Sequence, residues 1–376
     1  MVDLYVKNGR SVNDDPLELT ITAGQITAIG EKLTDVEATR VMDVKGAYVS
    51  AGWIDDHVHC YDQLTLYYDD ADADGVQSGV TTVIDAGSTG ADNIGDFYER
   101  TRAKRTNVYA MINISKTGIL AQDELGDMNR VQWEPFKRAV DEYPDFIVGI
   151  KARESHSVVV DNGVQPLIKA KEYQRQVDRD LPVMVHVGAN PPELEAILAL
   201  MTKDDVLTHA YNGKPNGILD ENGTVKPFVR EAYDRGVIFD VGHGTDSFNF
   251  ETAATAFANG LVPQSISTDI YHRNRENGPV YDMATTLDKL MLLGFDLPTV
   301  IRMVTVAPAD NFNLAHKGEL TVGADGDLTI FSVAKADKTL TDSNGNQRTT
   351  TTTIKPCCAV VAGQVYEVEA RNDGIR

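Results

Sequence analysis

The two ends of the chain share a pattern of short stretches in which hydrophobic and polar residues alternate. Such stretches run from Asp3 to about Val49, with Gly and Asn at the breaks, and they return in segments 318–332 and 357–370. Alternation with a period of two predicts small antiparallel strands and hairpins. The Thr-rich run at 348–353 is either low-complexity sequence or the arm of a hairpin, and we favour the hairpin because β-branched residues suit strands.

The middle of the chain has a different rhythm, in which compact apolar runs alternate with segments of helical spacing. Helical spacing occurs, for example, in 191–201, 226–236 and 249–260. Apolar runs bounded by polar residues or glycine predict buried strands. Eight strands are predicted, and they span residues 49–59, 80–87, 107–115, 146–155, 182–188, 205–212, 237–244 and 265–271.

This order of strands and helices predicts an α/β fold with a mostly parallel sheet. Eight strand and helix units fit a (β/α)₈ TIM barrel better than an open doubly wound sheet. We therefore predict a barrel over residues 50–314. Residues 1–49 and 315–376 are predicted to form a second, smaller domain of β-strands.

Composition and charge restrict the partners. The net charge of −21 and the pI of about 4.7 exclude nucleic acid and anionic membranes, because both would be repelled. The three cysteines, Cys60, Cys357 and Cys358, include an adjacent pair that could close only a strained disulfide. With neither a leader pattern nor a long apolar segment, the expected location is the cytoplasm.

Residues able to bind metal close several of the predicted strands. His57 and His59 flank Val58, so in a strand both imidazoles point to one face. A barrel carries its active site at the C-terminal ends of its strands. Five of the eight histidines lie near predicted strand ends, which favours a metal site over five separately buried core histidines. The later residues in this pattern are Lys151, His186, His209, His243 and Asp269.

Lys151 does not fit a metal site as an ammonium group. An ammonium would repel a divalent cation, and its burial without a partner would be costly. Two explanations remain open on spacing alone. Either the side chain reaches out of the barrel mouth or pairs with an acid, or a neutral amine has added carbon dioxide to become an anionic carbamate.

Taken together, these residues resemble the amidohydrolase superfamily. Its pattern is His-X-His after the first strand, Lys after the fourth, His after the fifth and sixth, and Asp after the eighth. Here the pattern corresponds to His57, His59, Lys151, His186, His209 and Asp269. The resemblance covers nearly the whole chain, and it implies that the flanking β segments combine into a small β-sandwich beside the barrel.

The resemblance also implies two divalent metal ions, usually zinc, at the barrel mouth. His57, His59 and Asp269 would hold one ion, His186 and His209 would hold the other, and a CO₂-derived carbamate on Lys151 would bridge them. Zinc lowers the pKa of bound water, so the site would hydrolyse an amide or ester, with Asp269 as general base and then acid. The alternative for Asp269 is a structural hydrogen bond at a strand end.

The resemblance narrows the substrate further. Dihydroorotases continue their pattern with an arginine two residues after the second histidine, where this chain has Tyr61. Segments 149–155, 186–192, 208–213 and 240–248 resemble a dihydroorotase-like group of bacterial deacetylases. Members of that group remove acetyl groups from N-acetyl amino acids or O-acetyl 2-hydroxy acids. The expected substrate is therefore a small, acidic, acylated molecule.

Five further residues are candidates for substrate contact. Arg153 shares a strand face with Lys151 and could bind a carboxylate through its planar fork, although a salt bridge with an acid is equally compatible with its position. His243 is assigned to the substrate or to support of the ligands. The other candidates follow ligand-bearing strands and could equally be packing residues: Tyr211, Asn212 and Tyr271.

Other activities stay open at this stage. A cyclic amidohydrolase of the dihydroorotase or hydantoinase kind, a deaminase, and a non-catalytic scaffold homologue are the alternatives. The scaffold is disfavoured because every ligand position is filled. The family resemblance also implies a homo-oligomer.

Overall fold

The computed structural model describes residues 1–368. In chain order, its strands are β1 Val2–Arg10, β2 Pro16–Thr22, β3 Gln25–Gly30, β4 Ala38–Asp43, β5 Tyr48–Ala51, β6 Trp53–Val58, β7 Val80–Ala86, β8 Asn107–Asn113, β9 Ile147–Glu154, β10 Val183–Val187, β11 Val206–Thr208, β12 Ile238–Phe239, β13 Leu328–Thr341, β14 Gln347–Val361 and β15 Gln364–Glu367.

The α-helices lie mainly between the strands of the middle segment. They are α1 Ala71–Asp74, α2 Ile94–Thr101, α3 Trp133–Glu142, α4 His156–Val159, α5 Gln165–Gln176, α6 Leu194–Leu200, α7 Pro227–Asp234, α8 Phe250–Ala258, α9 His272–Asn277, α10 Met283–Leu292, α11 Leu297–Arg302 and α12 Val306–Asn311.

Seven parallel strands form the central sheet. The strands β6 to β12 lie side by side in chain order, and each is parallel to its neighbour. Every residue of β6, β7 and β9 is buried, as expected for strands covered on both faces. The prediction of an α/β chain with parallel strands and intervening helices is confirmed.

Residues 265–270, here called the bridging segment, occupy the position of the predicted eighth strand. They form no regular strand, but single parallel bridges join Asp240 to Ser265 and Val58 to Ile270. The amide of Asp269 also donates to the carbonyl of His57 at 2.7 Å. The bridging segment therefore contacts both edge strands of a curled seven-stranded sheet.

The lower end of the curled sheet is filled with apolar side chains. One hydrophobic cluster includes Ile54, Ile84, Met184, Val206 and Phe312. These residues come from four different strands and from the segment after α12. They fill the interior of the curled sheet below the polar residues at the strand ends. Burial at this level leaves the opposite end of the sheet for chemistry.

The two chain ends form a second sheet of eight strands. Its order is β15-β14-β13-β5-β1-β2-β3, with β4 beside β1. The strand β1 runs parallel to β4 and β5, and the remaining pairs are antiparallel. Both chain ends combine in this one hydrogen-bonded sheet, as predicted, because β5 pairs with β13 and links the two ends. Its packing as a small β-sandwich stays a prediction.

The β13–β14 hairpin extends from this sheet onto the middle segment of the chain. The Thr-rich run 348–353 lies within β14, which confirms the strand interpretation. The hairpin tip contacts the segment after β12, where the Ser343 amide donates to the Phe248 carbonyl at 2.9 Å and the Phe250 amide donates to Asp342 at 2.9 Å. The predicted boundary at residue 50 falls inside β5, and residues 369–376 lie outside the described part of the chain.

No α-helix within residues 1–368 has both the length and the apolar character needed to cross a membrane.

Candidate metal centre and active site

Three side chains with metal-binding atoms meet at the mouth of the parallel sheet. His57 lies in β6, His59 follows that strand, and Asp269 lies in the bridging segment. The Nε2 atoms of both histidines are 3.3 Å from Asp269 Oδ1. All three ligand atoms lie within 4.8 Å of one another. One divalent ion could therefore contact all three, since imidazole and carboxylate both bind zinc at about 2.0–2.2 Å.

A second pair of histidines lies on the other side of Asp269. His186 is in β10, and His209 directly follows β11. Nδ1 of His186 is 2.8 Å from Nε2 of His209, and the same Nε2 atom is 4.0 Å from Asp269 Oδ2. The first histidine pair thus faces Oδ1 of Asp269, and His209 of the second pair faces Oδ2.

Lys151 lies between these two groups and is fully buried. Its Nζ atom is 3.1 Å from His57 Nε2 and 3.2 Å from the sulfur of Met184. Within residues 1–368, no carboxylate lies within salt-bridge distance of this ammonium nitrogen. Burial lowers the pKa of Lys151 to about 7, so a large share of the side chain is a neutral amine at neutral pH. The sequence-based alternative in which Lys151 reaches solvent or pairs with an acid is therefore wrong.

Burial also keeps the ligand histidines neutral. It lowers the pKa of His57 and of His186 well below the usual value, and it lowers the pKa of His209 to about 4. Burial alone would raise the pKa of Asp269, but the hydrogen bond from His59 and nearby positive charge lower it overall. Neutral imidazoles and an ionised carboxylate are the protonation states that bind metal.

Left-handed backbone at two ligands explains where the strands stop. His209 has φ of 64° and Asp269 has φ of 49°. Histidine and aspartate are among the non-glycine residues that most often adopt this conformation. Because it breaks the extended geometry, β11 ends at Thr208 and the bridging segment forms no regular strand.

Buried polar side chains hold two of the ligands in place. Asp55 accepts hydrogen bonds from the amide and hydroxyl of Thr268 at 3.0 and 2.5 Å, which fastens the residue before Asp269 to β6. The Ser88 hydroxyl lies 2.9 Å from Nδ1 of His59. Asp55 was visible in the sequence beside the histidine pair, but only the structure identifies its partner.

Arg153 lies in the cleft, and it is already paired. Its Nη1 atom is 3.1 Å from both carboxylate oxygens of Glu124, and both side chains are buried. The guanidinium also lies 5.5 Å from the centre of the Tyr67 ring. The salt bridge left open by the sequence is therefore present. This salt bridge occupies one nitrogen of the guanidinium group. The other nitrogens leave Arg153 a candidate for binding an anion.

His243 does not offer a free ring nitrogen to the mouth. Its Nδ1 atom donates to the carbonyl of Gly244 at 2.9 Å, and its Nε2 atom accepts from Nζ of Lys289 at 2.7 Å. All three residues lie away from solvent behind the ligands. Of the two roles predicted for His243, the structure favours support of the ligands over contact with substrate.

The three remaining candidates differ in their surroundings. Tyr211 is fully buried, with its ring 5.1 Å from that of Phe257, so we assign it to the core and not to the pocket wall. Asn212 uses its side chain to hold the turn after His209, donating to that residue's carbonyl at 2.8 Å. Tyr271 stays a candidate, because its hydroxyl contacts Thr245 at 2.8 Å and its ring lies near the cleft.

Two residues near the cleft were missed by the sequence analysis. The ring of Tyr67 lies 5.7 Å from His59 and 5.1 Å from Tyr271. The ammonium of Lys214 lies beside Gly188, as does Nε2 of His186, and it pairs with Asp246 at 3.1 Å. Both lie in loops after ligand-bearing strands, and that position was the one available signal.

The donor set fits a divalent metal ion such as zinc. Four imidazoles and one carboxylate supply nitrogen and oxygen ligands of the kind that zinc prefers. They fall into two groups on either side of Asp269, and buried Lys151, which has no acidic partner within salt-bridge distance among residues 1–368, lies next to His57 of the first group.

Known proteins resemble this chain along its whole length. A family model described as a deacetylase-like composite domain matches residues 320–367. A protein of Enterococcus faecalis named Deacetylase is 53% identical over 366 residues, which are 97% of this chain and 99% of that protein.

Two crystal structures extend the comparison to the fold. One, described as an adenine deaminase, superposes with a TM-score of 0.96 at 52% identity, over 98% of this chain and 100% of that chain. The other, described as a dihydroorotase, has a TM-score of 0.89 at 31% identity, over 98% of each chain. With this likeness and the site geometry together, the chain belongs to the dihydroorotase-like deacetylases of the amidohydrolase superfamily.

Proposed function

We propose that the protein is a zinc-dependent deacetylase. His57, His59 and Asp269 would hold one ion, and the second would be held by His186 and His209. The single observation that carries this proposal is the convergence of these five side chains around buried Lys151. When bound, two zinc ions supply Lewis acidity for the substrate carbonyl and lower the pKa of water.

Asp269 is the proposed general base and acid. Its Oδ1 atom faces both histidines of the first group, whereas Oδ2 faces His209. A carboxylate with lowered pKa takes a proton only transiently, so it can accept one from the attacking water and pass it to the leaving group. The chain thus supplies proton transfer through the carboxylate of Asp269.

Lys151 is the proposed site of the carbamate bridge. Its amine nitrogen lies next to His57, and among residues 1–368 no carboxylate is within salt-bridge distance of it. A carbamate there adds an anionic oxygen pair without a new side chain. Replacement of Lys151 would remove this bridge and with it the charge balance of the site.

The substrate is proposed to be an N-acetyl amino acid or an O-acetyl 2-hydroxy acid. Arg153 and Lys214 are cations on the His186 side of the cleft, in a chain whose net charge is −21. Two cations beside a hydrolytic site favour a substrate carboxylate, and the arginine fork can bind it bidentately. Tyr67 and Tyr271 would pack against the rest of the substrate.

The test is a screen for acetate release. Protein loaded with zinc and bicarbonate is assayed on N-acetyl-D- and L-amino acids, acetylated hydroxy acids, hydantoins and dihydroorotate. We expect acetate from at least one acetylated acid and no ring opening of the cyclic compounds. Ring opening without acetate release would favour the cyclic amidohydrolase, and saturation with well under one metal per chain would favour the scaffold.

Arg153 is the proposed anchor for the substrate carboxylate, and this role has a separate test. Arg153→Met should raise KM for the acetylated acid and leave KM for the matching carboxamide unchanged. Arg138→Met, at an exposed position on α3, serves as the charge-matched control. An equal rise in KM for acid and amide would reject the anchor.

Adenine deamination is the second candidate, because the structure that superposes with a TM-score of 0.96 is described as that of an adenine deaminase. A deaminase would release ammonia from adenine. An ammonia-coupled assay on the same zinc-loaded preparation separates the two activities. Ammonia from adenine at a higher kcat/KM than acetate from any acylated acid would replace the deacetylase proposal.

We also propose that the bridging segment closes the parallel sheet into a (β/α)₈ barrel over residues 50–314, and that residues 1–49 and 315–376 form a separate domain. The protein is further proposed to be a cytoplasmic homo-oligomer. It would act on a small molecule, with neither nucleic acid nor membrane as partner. The bridges at Ser265 and Ile270 support closure of the barrel, and the three free cysteines support a reducing cytoplasm. Light scattering during size-exclusion chromatography tests the oligomer, and a mass of about one chain would reject it.

A further inference from the structure

Asp240 is a buried carboxylate that contacts no ligand side chain. It directly follows β12 and is completely shielded from solvent. Three hydroxyl groups surround it: Thr208 at 2.8 Å, Ser267 at 2.6 Å and Ser265 at 3.1 Å. Because a carboxylate only accepts hydrogen bonds, all three hydroxyls donate to Asp240. No step of the proposed mechanism uses Asp240.

The Thr208 hydroxyl connects Asp240 to a ligand. Its oxygen lies 2.9 Å from Nδ1 of His57. A hydroxyl has one hydrogen, and Thr208 donates it to Asp240. The Thr208 oxygen can therefore only accept a hydrogen bond from His57. Nδ1 of His57 therefore carries the proton, and Nε2 keeps its lone pair. Nζ of Lys151 lies 3.1 Å from Nε2 and can donate to that lone pair, both as an ammonium and as a neutral amine.

The same short segment orients a ligand of the second group. The carbonyl of Gly242, two residues after Asp240, accepts from Nδ1 of His209 at 2.6 Å. A Cβ atom at position 242 would lie 2.1 Å from the Thr208 hydroxyl, so glycine keeps that hydroxyl in place. Residues 240–242 thus orient two histidine ligands, His57 on one side of Asp269 and His209 on the other.

We propose that Asp240 is a positioning residue that sets the tautomer and ring orientation of His57 through the Thr208 hydroxyl, and that segment 240–242 thereby prepares one ligand in each half of the metal centre together. This inference rests on the proposed metal site. Outer partners of this kind typically change metal affinity by about 10- to 100-fold when removed.

The test compares Thr208→Val, which removes the hydroxyl at nearly constant volume, with Thr208→Ser, which keeps it. Ser265→Ala is the matched control, because it removes another donor to the same carboxylate and leaves Thr208 intact. Zinc dissociation constants are measured by chelator competition on the full chain. We expect Thr208→Val to weaken binding by about 10- to 100-fold, and the other two variants by less than about threefold.

A second readout does not need zinc. In metal-free protein with ¹⁵N-labelled histidine, NMR should show His57 protonated at Nδ1 in the parent and a mixture of tautomers in Thr208→Val. Thr208→Ala replaces the valine variant if that variant does not fold. Equal zinc affinities in Thr208→Val and Ser265→Ala, or an Nε2-protonated His57 in the parent, would overturn the inference. Absence of zinc binding in the parent would instead reject the proposed function, while the NMR result still decides the role of Asp240.

Discussion

Replacement of Gly244 by alanine should disable the enzyme through a single added carbon. Gly244 has φ of 55°, and its amide donates to the carbonyl of Thr268 at 2.9 Å. A Cβ atom built on this backbone would lie 2.5 Å from Oδ2 of Asp269. The new methyl group would therefore overlap one oxygen of the carboxylate to which we assign proton transfer.

The structure sets the size of the effect. Ordinary van der Waals contact begins at 3.4 Å, so Asp269 or the Gly244 backbone must move by about 0.9 Å. A misplacement of about 1 Å in a catalytic group can lower the rate by about 100-fold. The left-handed backbone adds a cost of about 1–2 kcal/mol for any residue with a Cβ atom.

Gly260→Ala separates these two effects. Gly260 has φ of 72°, and nothing lies within 4 Å of the point that a Cβ atom would occupy, so alanine there carries the backbone cost without a clash. For both variants we would measure kcat, KM, zinc content and the thermal midpoint. We expect similar midpoints and a kcat about 100-fold lower in Gly244→Ala alone. Equal kcat values in the two variants would refute the reasoning that crowding Oδ2 of Asp269 disables proton transfer.

Four further outcomes are expected. Asp269→Asn should keep much of its zinc and lose kcat by orders of magnitude, since the base is removed while most ligands stay; near-normal kcat would reject the proton-transfer role. Lys151→Ala should lose bound metal, which elemental analysis measures, and full zinc content would reject the bridge. Ser343→Ala removes the hydroxyl at the hairpin tip that contacts the carbonyl of His243, and should lower unfolding free energy by about 1 kcal/mol and kcat several-fold at constant KM. Lys289→Met should make stability less dependent on pH, as measured by denaturant unfolding from pH 7 to 10.

The sign of the pH effect follows from burial of Lys289. Burial lowers its pKa from 10.5 to about 7, with a further lowering from Lys338 and opposition from nearby aspartates. Between these values the unfolded chain binds a proton at Lys289 that the folded chain does not, so this group makes the parent more stable as pH rises, by at most about 1.4 kcal/mol per pH unit. Methionine at this position removes that contribution, whereas the contribution of buried Lys151 stays. An unchanged slope would show that Lys289 does not titrate in this range.

Strand-end chemistry was predictable from sequence because its signals are local. The spacing of His57 and His59 depends only on the two-residue period of a strand. The order of Lys151, His186 and His209 along the chain then follows the order of parallel strands. The parallel sheet, the helices between its strands and the convergence of these side chains were all predicted on that basis.

The eighth strand shows where a local signal is incomplete. The apolar run at 265–271 predicts a strand, but a left-handed Asp269 and polar side chains that bond inward leave only single bridges. The strand pairing that joins the two chain ends could not be predicted for a related reason. Which strands pair at the junction of two chain ends depends on contacts such as β5 with β13, and no periodicity records them.

The sequence by itself determined which residues stand at the ends of strands and which chemistry they can support. Only the tertiary structure decided their partners: Glu124 for Arg153, Lys289 for His243, and Thr208 with Asp240 for His57. Such pairs join residues that are distant along the chain, and they depend on strand register, left-handed turns and close approach at glycine. Hydrophobic periodicity reports which face is buried, but it carries no information about which buried polar groups will meet.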